Sequence, residues 1–280
     1  MKTRPIIAHE TPLCLMADMR SYTDYDYALV HLFEDEDKEF AKKYFYFFHT
    51  SLKMGRKVLL DNSIFELGTS FDPYKFFEWV LKLQPTEYFI PDVFNDRVGT
   101  VENVKLWYKL LAKKAKEGKI INSKAIAVCH GISYDDMLQC YEELEPWVDK
   151  IAIPFDSQAF DCFPDAKNWE YSMMYGRWEI LSRLVKRFDS LKPLHLLGCA
   201  LPQEFQHYRD VGQLGYIDSI DTSNPVVHGL TGIAYDREGC LQEKCKTKLV
   251  EFMKMPLSEV TDKQRNLIFL NALNFKKFLW

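Results

Sequence analysis

The sequence predicts an α/β protein, a (β/α)₈ barrel of the TIM type, on three observations. Short apolar runs alternate with longer amphipathic stretches along the 280 residues. Strands separated by helical patterns of this kind indicate βαβ units and a parallel sheet. Seven or eight such units in about 250 residues suit a closed barrel better than a doubly wound sheet. No GxGxxG follows the first strand and no GxxxxGK[ST] occurs, which weakens the nucleotide-binding alternatives. No Gly/Ser/Pro linker or internal repeat divides the chain, so 1–280 is expected to be one barrel domain.

In chain order, the first strand is expected at Leu13–Ala17. The acidic run Glu34–Asp37 with Glu39 then suits the N-terminus of a helix over 35–52, where negative charge meets the helix dipole. The second strand, Lys57–Asp61, is followed by a helix over 73–83, and the third, Glu87–Asp92, by one over 101–117. Ala125–Cys129 is the fourth strand, with a helix over 134–145, and Lys150–Ile153 the fifth, with a helix over 168–188. Leu194–Gly198 is the sixth, followed by a helix over 202–211, and Ile217–Ile220 the seventh. A weaker eighth run lies near Gly232–Tyr235, and residues 259–279 form a closing helix.

The 36 Lys+Arg against 40 Asp+Glu leave a formal charge of −4, and 47% hydrophobic with 27% charged residues is a globular mix. That excludes a disordered tail, a collagen-like repeat and a disulfide-stapled miniprotein. It argues against a polybasic nucleic-acid coat protein while allowing a local basic face. The N-terminus lacks the apolar core of a signal peptide and no window reaches 18 apolar residues, so a cytoplasmic protein without membrane contact is expected. Seven scattered cysteines, Cys14, Cys129, Cys140, Cys162, Cys199, Cys240 and Cys245, suit free thiols in a reducing compartment.

Polar residues cluster where strands end. KVLLD ends at Asp61, EYFIPD at Asp92, AVCHG at His130 and Gly131, IAIPFD at Asp156, and HLLG at Gly198, with His195 on the same strand. YIDSIDTSNP carries Asp218 and Asp221. Barrel enzymes place their chemistry at this face. Carboxylates meeting in a water-poor pocket can divide into a nucleophile and a proton carrier, the equipment for glycosidic chemistry. Aspartates also follow strands as Asx-turn and capping residues, and each of these is open to that reading.

Several blocks resemble the tRNA-guanine transglycosylase superfamily, including its DNA-acting phage and bacterial relatives that install 7-deazaguanines. LLDNSIFELG is similar to the DSGGFQ block, IPDVFND to the block whose aspartate reads the guanine edge, and AVCHGISYDDM to VQGGxYxDL. KPLHLLGCALPQEFQHYRDVGQLGYIDSIDTSNP is similar to the stretch from LMGVGxP to FDCVxPTR. The resemblance covers residues 57 to about 225. It implies Asp218 as the nucleophile that attacks C1′ of a guanosine, with Asp221 as its rival, and Asp61 as the proton-handling partner. It also implies that Asp92 accepts from the purine N–H groups and that the Leu197–Gly198 backbone lines the base pocket. Further substrate contacts are expected from His130, Gly131, Asp156, Asp221 and His195. No energy cofactor is implied.

The departures are informative. Asn62, Ser63 and Ile64 replace the small residues after the block's aspartate, and His130 replaces the family's Gln. The family's CxCxxC zinc block is missing: Cys240 and Cys245 are spaced C-x₄-C with no Cys or His after them, so the ligand set is incomplete and no metal is expected. That absence favours DNA over tRNA as the partner. Lys113, Lys114, Lys116 and Lys119, and separately Arg177, Arg183, Lys186 and Arg187, form basic groups that could meet phosphates or be solvated helix faces. Tyr22, Tyr25 and Tyr27 could stack on a flipped base or pack a loop. The expected function is exchange of guanine in nucleic acid, DNA in preference to tRNA, for a 7-deazaguanine base. The alternatives are a tRNA-guanine transglycosylase proper, an N-glycoside hydrolase and a non-catalytic binding subunit on the same barrel.

Overall fold

Eight strands close into a barrel in sequence order: β1 Ile6–His9, β2 Tyr25–Leu29, β3 Lys57–Asp61, β4 Glu87–Phe89, β5 Lys124–Val128, β6 Lys150–Ile153, β7 Leu194–Leu196 and β8 Ile217–Thr222. The structure is a computed structural model and describes residues 4–160 and 163–279; Cys162 lies outside them. Ten α-helices are described. They are α1 Met16–Met19, α2 Lys38–Lys53, α3 Ile64–Leu67, α4 Pro73–Leu83, α5 Arg97–Lys116, α6 Tyr134–Leu144, α7 Trp169–Arg187, α8 Glu204–Asp210, α9 Asn224–Leu230 and α10 Asp262–Lys277.

Most helices begin on side chains chosen for the task. The carboxylate of Asp37 accepts from the Glu39 and Phe40 amides, that of Asp72 from Lys75 and that of Asp96 from Gly99. Ser133, Asn168 and Thr261 do the same for α6, α7 and α10. Such caps satisfy amides that the helix itself leaves unbonded.

The expected first strand is corrected. Leu13–Leu15 is a 3₁₀ turn entered from Pro12, and Met16–Met19 is α1. LCLMADM holds no β-branched residue, and Leu, Met and Ala are good helix formers. The strands in this region are the Ile-rich β1 and β2, and β2 has its alternation hidden by Asp26. That carboxylate is buried because the Arg56 guanidinium grips both its oxygens at 2.8–3.1 Å. The run near Gly232–Tyr235 forms no strand. Its polar backbone goes instead to α10, where Asn271 accepts from the Tyr235 amide at 3.1 Å and donates to the Ile233 carbonyl at 2.9 Å.

Contacts divide the chain into two compact units: one joins the chain up to Tyr25 with everything from Phe160 onward, and the other is Asp26–Ala159. In the first, β1 pairs in parallel with β8 (Ile6 opposite Ser219) and β8 with β7. α9 and α10 pack so closely that a Cβ on Gly229 would lie 2.6 Å from the Ile268 amide nitrogen. In the second, β3 to β6 pair in parallel in order. Its helix layer is built on aromatic side chains, with Trp107 Nε1 donating to the Tyr88 hydroxyl at 2.9 Å and Phe77 against the indole. No described helix is long and apolar enough to cross a membrane.

Candidate active site

In the unit formed by both ends of the chain, the chemistry collects around Asp221, next to last in β8 and buried. The imidazole Nε2 of His195 lies 2.9 Å from Asp221 Oδ1. The Gly198 amide donates to Oδ1 at 3.0 Å and to Oδ2 at 3.1 Å. Because a carboxylate only accepts, the neutral ring carries its proton on Nε2, and Nδ1 accepts from the Ser219 hydroxyl at 2.9 Å. Ser219 and Asp221 stand two apart on one strand and so share a face. His195 spans them from the neighbouring strand.

Gly198 meets Asp221 because the chain after β7 turns through a left-handed residue, φ 66° at Gly198, where glycine is unstrained. That turn is clamped from behind. Arg177 of α7 is fully buried and donates to the Leu197 carbonyl at 2.8 Å and, through a forked pair, to Glu204 at 2.7 and 2.5 Å. Burial disfavours the Arg177 charge, but Glu204 outweighs that and raises its pKa. The Tyr208 hydroxyl donates to Glu204 at 2.7 Å, and burial together with that carboxylate pushes the phenol up. Burial likewise pushes up the Cys199 thiol, so it is no nucleophile.

The Asp26–Ala159 unit holds a second cluster, around Asp92, three residues beyond β4. Both oxygens of this buried carboxylate are filled from the side: Asn62 Nδ2 donates to Oδ1 at 2.6 Å and His130 Nε2 lies 2.5 Å from Oδ2. The Asn95 amide donates to His130 Nδ1 at 3.4 Å, which again places the ring proton on Nε2, facing the carboxylate. Phe94 packs edge-on against the His130 ring, with centroids 5.8 Å apart. Gly131 is buried where a Cβ would come within 2.7 Å of the Met137 amide nitrogen, so it lets the α6 N-terminus close beneath His130. Asp61 ends β3; its Oδ2 accepts from the Tyr27 hydroxyl at 2.9 Å and its Oδ1 from the Ser63 amide at 2.5 Å. The latter is an Asx turn that stabilises the left-handed Ser63, φ 62°.

Two expected site residues stand elsewhere. Asp218 is exposed, near the start of β8, so it lies at the opposite end of the strand from Asp221. The strand bulges there: Leu194 is opposite Ile217 and His195 opposite Ser219, leaving Asp218 as the extra residue. Asp156 is exposed three residues past β6. The tyrosine cluster does not form a stacking platform, because Tyr22 is stacked on Phe269 at 4.9 Å and Tyr25 and Tyr27 are buried in β2. Arg177 leaves the basic group as a buried ion-pair member, and Arg183 is paired with Glu179 at 2.7 Å. Cys240 and Cys245 take ordinary positions, the Cys245 sulfur lying 3.6 Å from the Thr231 hydroxyl. Among the described residues no three His, Cys, Asp or Glu side chains come together as metal ligands.

Sequence reasoning passed over Glu204 and read Asn62, Tyr27 and Arg177 in other roles: a replacement in the DSGGFQ-like block, a stacking or loop tyrosine, and a member of a basic group. The structure gives these three hydrogen bonds to Asp92, Asp61 and Glu204 instead. Nothing in the sequence marks Glu204 as buried; only the fold shows it.

No protein family and no curated protein matches the chain as a sequence. Solved structures do match as folds. The YdjI aldolase from Escherichia coli K12 is 12% identical, with a TM-score of 0.54 over 99% of this chain and 91% of that one. A protein from Aquifex aeolicus VF5 is 11% identical, with a TM-score of 0.50 over 99% of this chain and 93% of its own. The carboxyl transferase domain of Rhizobium etli pyruvate carboxylase, with pyruvate, is 12% identical, with a TM-score of 0.51 over 99% of this chain and 48% of that chain. These likenesses show the fold, a TIM-type barrel.

Proposed function

We propose that this barrel is an enzyme that exchanges guanine in a polynucleotide, DNA in preference to tRNA, for a 7-deazaguanine, with Asp221 as the nucleophile. The observation that carries the reading is the Asp221 carboxylate itself. It is buried at the C-terminal end of a barrel strand and aimed by His195 and the Gly198 amide. His195 binds only Oδ1, so Oδ2 is the less committed oxygen. The transglycosylase-like blocks and the retained Asp61 and Asp92 support the same chemistry, and barrel neighbours that are an aldolase and a carboxyl transferase support a catalytic protein in general.

In the first half-reaction Oδ2 of Asp221 attacks C1′, the C1′–N9 bond breaks, and its electron pair leaves with the purine. The resemblance gives Asp61 the role of handing a proton to the departing base, and gives Asp92, whose oxygens Asn62 and His130 steer, that of accepting from the purine N–H groups. In the second half the incoming base surrenders its ring N–H proton to Asp61, its nitrogen attacks C1′, and the Asp221 ester bond breaks. Bonds broken equal bonds formed, so no energy source is consumed.

The test is incubation with radiolabelled guanine alongside duplex DNA, single-stranded DNA and bulk tRNA. Label should enter DNA with the wild type, fall by at least about 1,000-fold in Asp221→Asn, and persist in Asp218→Asn. Free guanine released without label uptake would identify a hydrolase instead. No label from guanine or from 7-deazaguanines in any polymer sinks the proposal.

A further inference from the structure

We infer that the outer face of α5 is a docking surface for the phosphate backbone of DNA. Lys105, Lys109, Lys113 and Lys116 are all exposed. At about 100° per residue they fall within one sector of about 80°, opposite the side that buries Val104 and Trp107. Glu102, exposed one turn before Lys105, is the one acidic residue of α5 in that sector, and none occurs between Asn103 and Lys116. None of the four lysines has an ion-pair partner among the described residues, whereas their neighbour Lys114, on a different side, is held by Glu78 at 3.0 Å.

Some helix charges elsewhere are neutralised, Lys43 of α2 by Glu39 at 2.6 Å and Arg183 of α7 by Glu179, each four residues away. Attraction of lysines to a helix C-terminus explains Lys113 and Lys116 but not Lys105 and Lys109, which sit too far from it. The row therefore keeps its charge unspent.

The segments that follow β2 to β5 offer a polyanion little to bind. The segments after β2 to β5 carry Asp35, Asp37, Asp72, Asp96 and Asp135, and the bases among them are occupied. Lys75 is bound to Glu34 at 3.4 Å and Arg97 to Asp136 at 2.7 Å. By contrast, the α5 row spans about 16 Å along a straight axis at 1.5 Å per residue. That length faces about five phosphates of one DNA strand at 3.4 Å each. A regular row suits the regular backbone of a duplex better than the irregular surface of a folded RNA.

The inference rests on nucleic acid being the substrate, and the experiment separates the two claims. Binding of a fluorescent 20-base-pair duplex is measured from 50 to 300 mM salt for the full chain and for Lys105→Gln/Lys109→Gln/Lys113→Gln/Lys116→Gln. All four positions are exposed, so the variant should melt like the wild type, and Lys→Arg at the same positions should bind like it. The Gln variant should bind at least about ten times more weakly at 50 mM. The slope of log affinity against log salt should fall by about 3–4, at about 0.9 for each phosphate no longer neutralised. Equal affinity and slope in the Gln variant overturn the docking surface even if guanine exchange proceeds. A charge-dependent slope without incorporation of guanine or of a 7-deazaguanine leaves it standing and overturns the transglycosylase reading. Tighter binding of bulk tRNA, or charge-dependent binding of phosphatidylserine vesicles but not DNA, assigns the row to another partner and overturns it too.

Discussion

Asp221 and Asp218 show how much one strand position decides. Both lie in YIDSIDTSNP, and only burial with a bulge between them separates a held carboxylate from a solvated one. The resemblance implied Asp218 with Asp221 as its rival, and so short a segment does not announce where the strand bulges. Asp92 and His130 were legible as strand-end polar residues, but their mutual contact was not, since it depends on how two loops meet. At this scale His9 offers a stability test. Burial is the main cause that takes its imidazole down to about 3, with Lys276 adding to it. The unfolded chain takes up a proton near pH 6.5 that the folded one refuses, so stability is lost as pH falls from 6.5 towards 3. Urea midpoints at pH 7 and pH 5 should drop for the wild type, and His9→Phe, set against Phe275, should flatten the drop; an equal drop in both assigns it to other groups.

Helices were the most legible elements, because Asp37, Asp72, Ser133 and Thr261 announce their starts. The first two strands were not legible: β1 is four residues long and β2 buries a charged residue whose partner lies 30 positions away. Nor could α7 be read as more than an amphipathic helix, although it supplies the clamp on the Gly198 turn. Removing one partner of a buried pair leaves the other stranded, so Arg177→Ala should cost about 3–5 kcal/mol in urea unfolding. Arg177→Met with Glu204→Leu should recover much of that. If the single variant loses under about 1 kcal/mol, the clamp is not a structural one. Gly229→Ala tests the α9–α10 contact: its Cβ would strike the Ile268 backbone, and about 1–3 kcal/mol should be lost.

At the scale of the whole chain, the barrel was visible because short apolar runs and amphipathic runs alternate with nothing between them that breaks the rhythm. Location along the chain says less about which residues pack together, and the unit built from both ends was not foreseen. The reaction proposed exchanges one glycosidic bond for another, so guanine exchange by the purified protein should need no nucleotide cofactor and survive dialysis against a chelator; loss of turnover restored by a divalent metal would require a different mechanism.

The pairing of β1 with β8 also has a consequence for synthesis. Ser219, the partner of Ile6, leaves the ribosome roughly 210 residues after it, so that edge of the first strand waits while everything between them is made. Asp26–Ala159 is continuous and can collapse while the rest is still being made. The Asp221 site, whose unit joins segments so far apart in the chain, therefore comes into being after the Asp26–Ala159 unit.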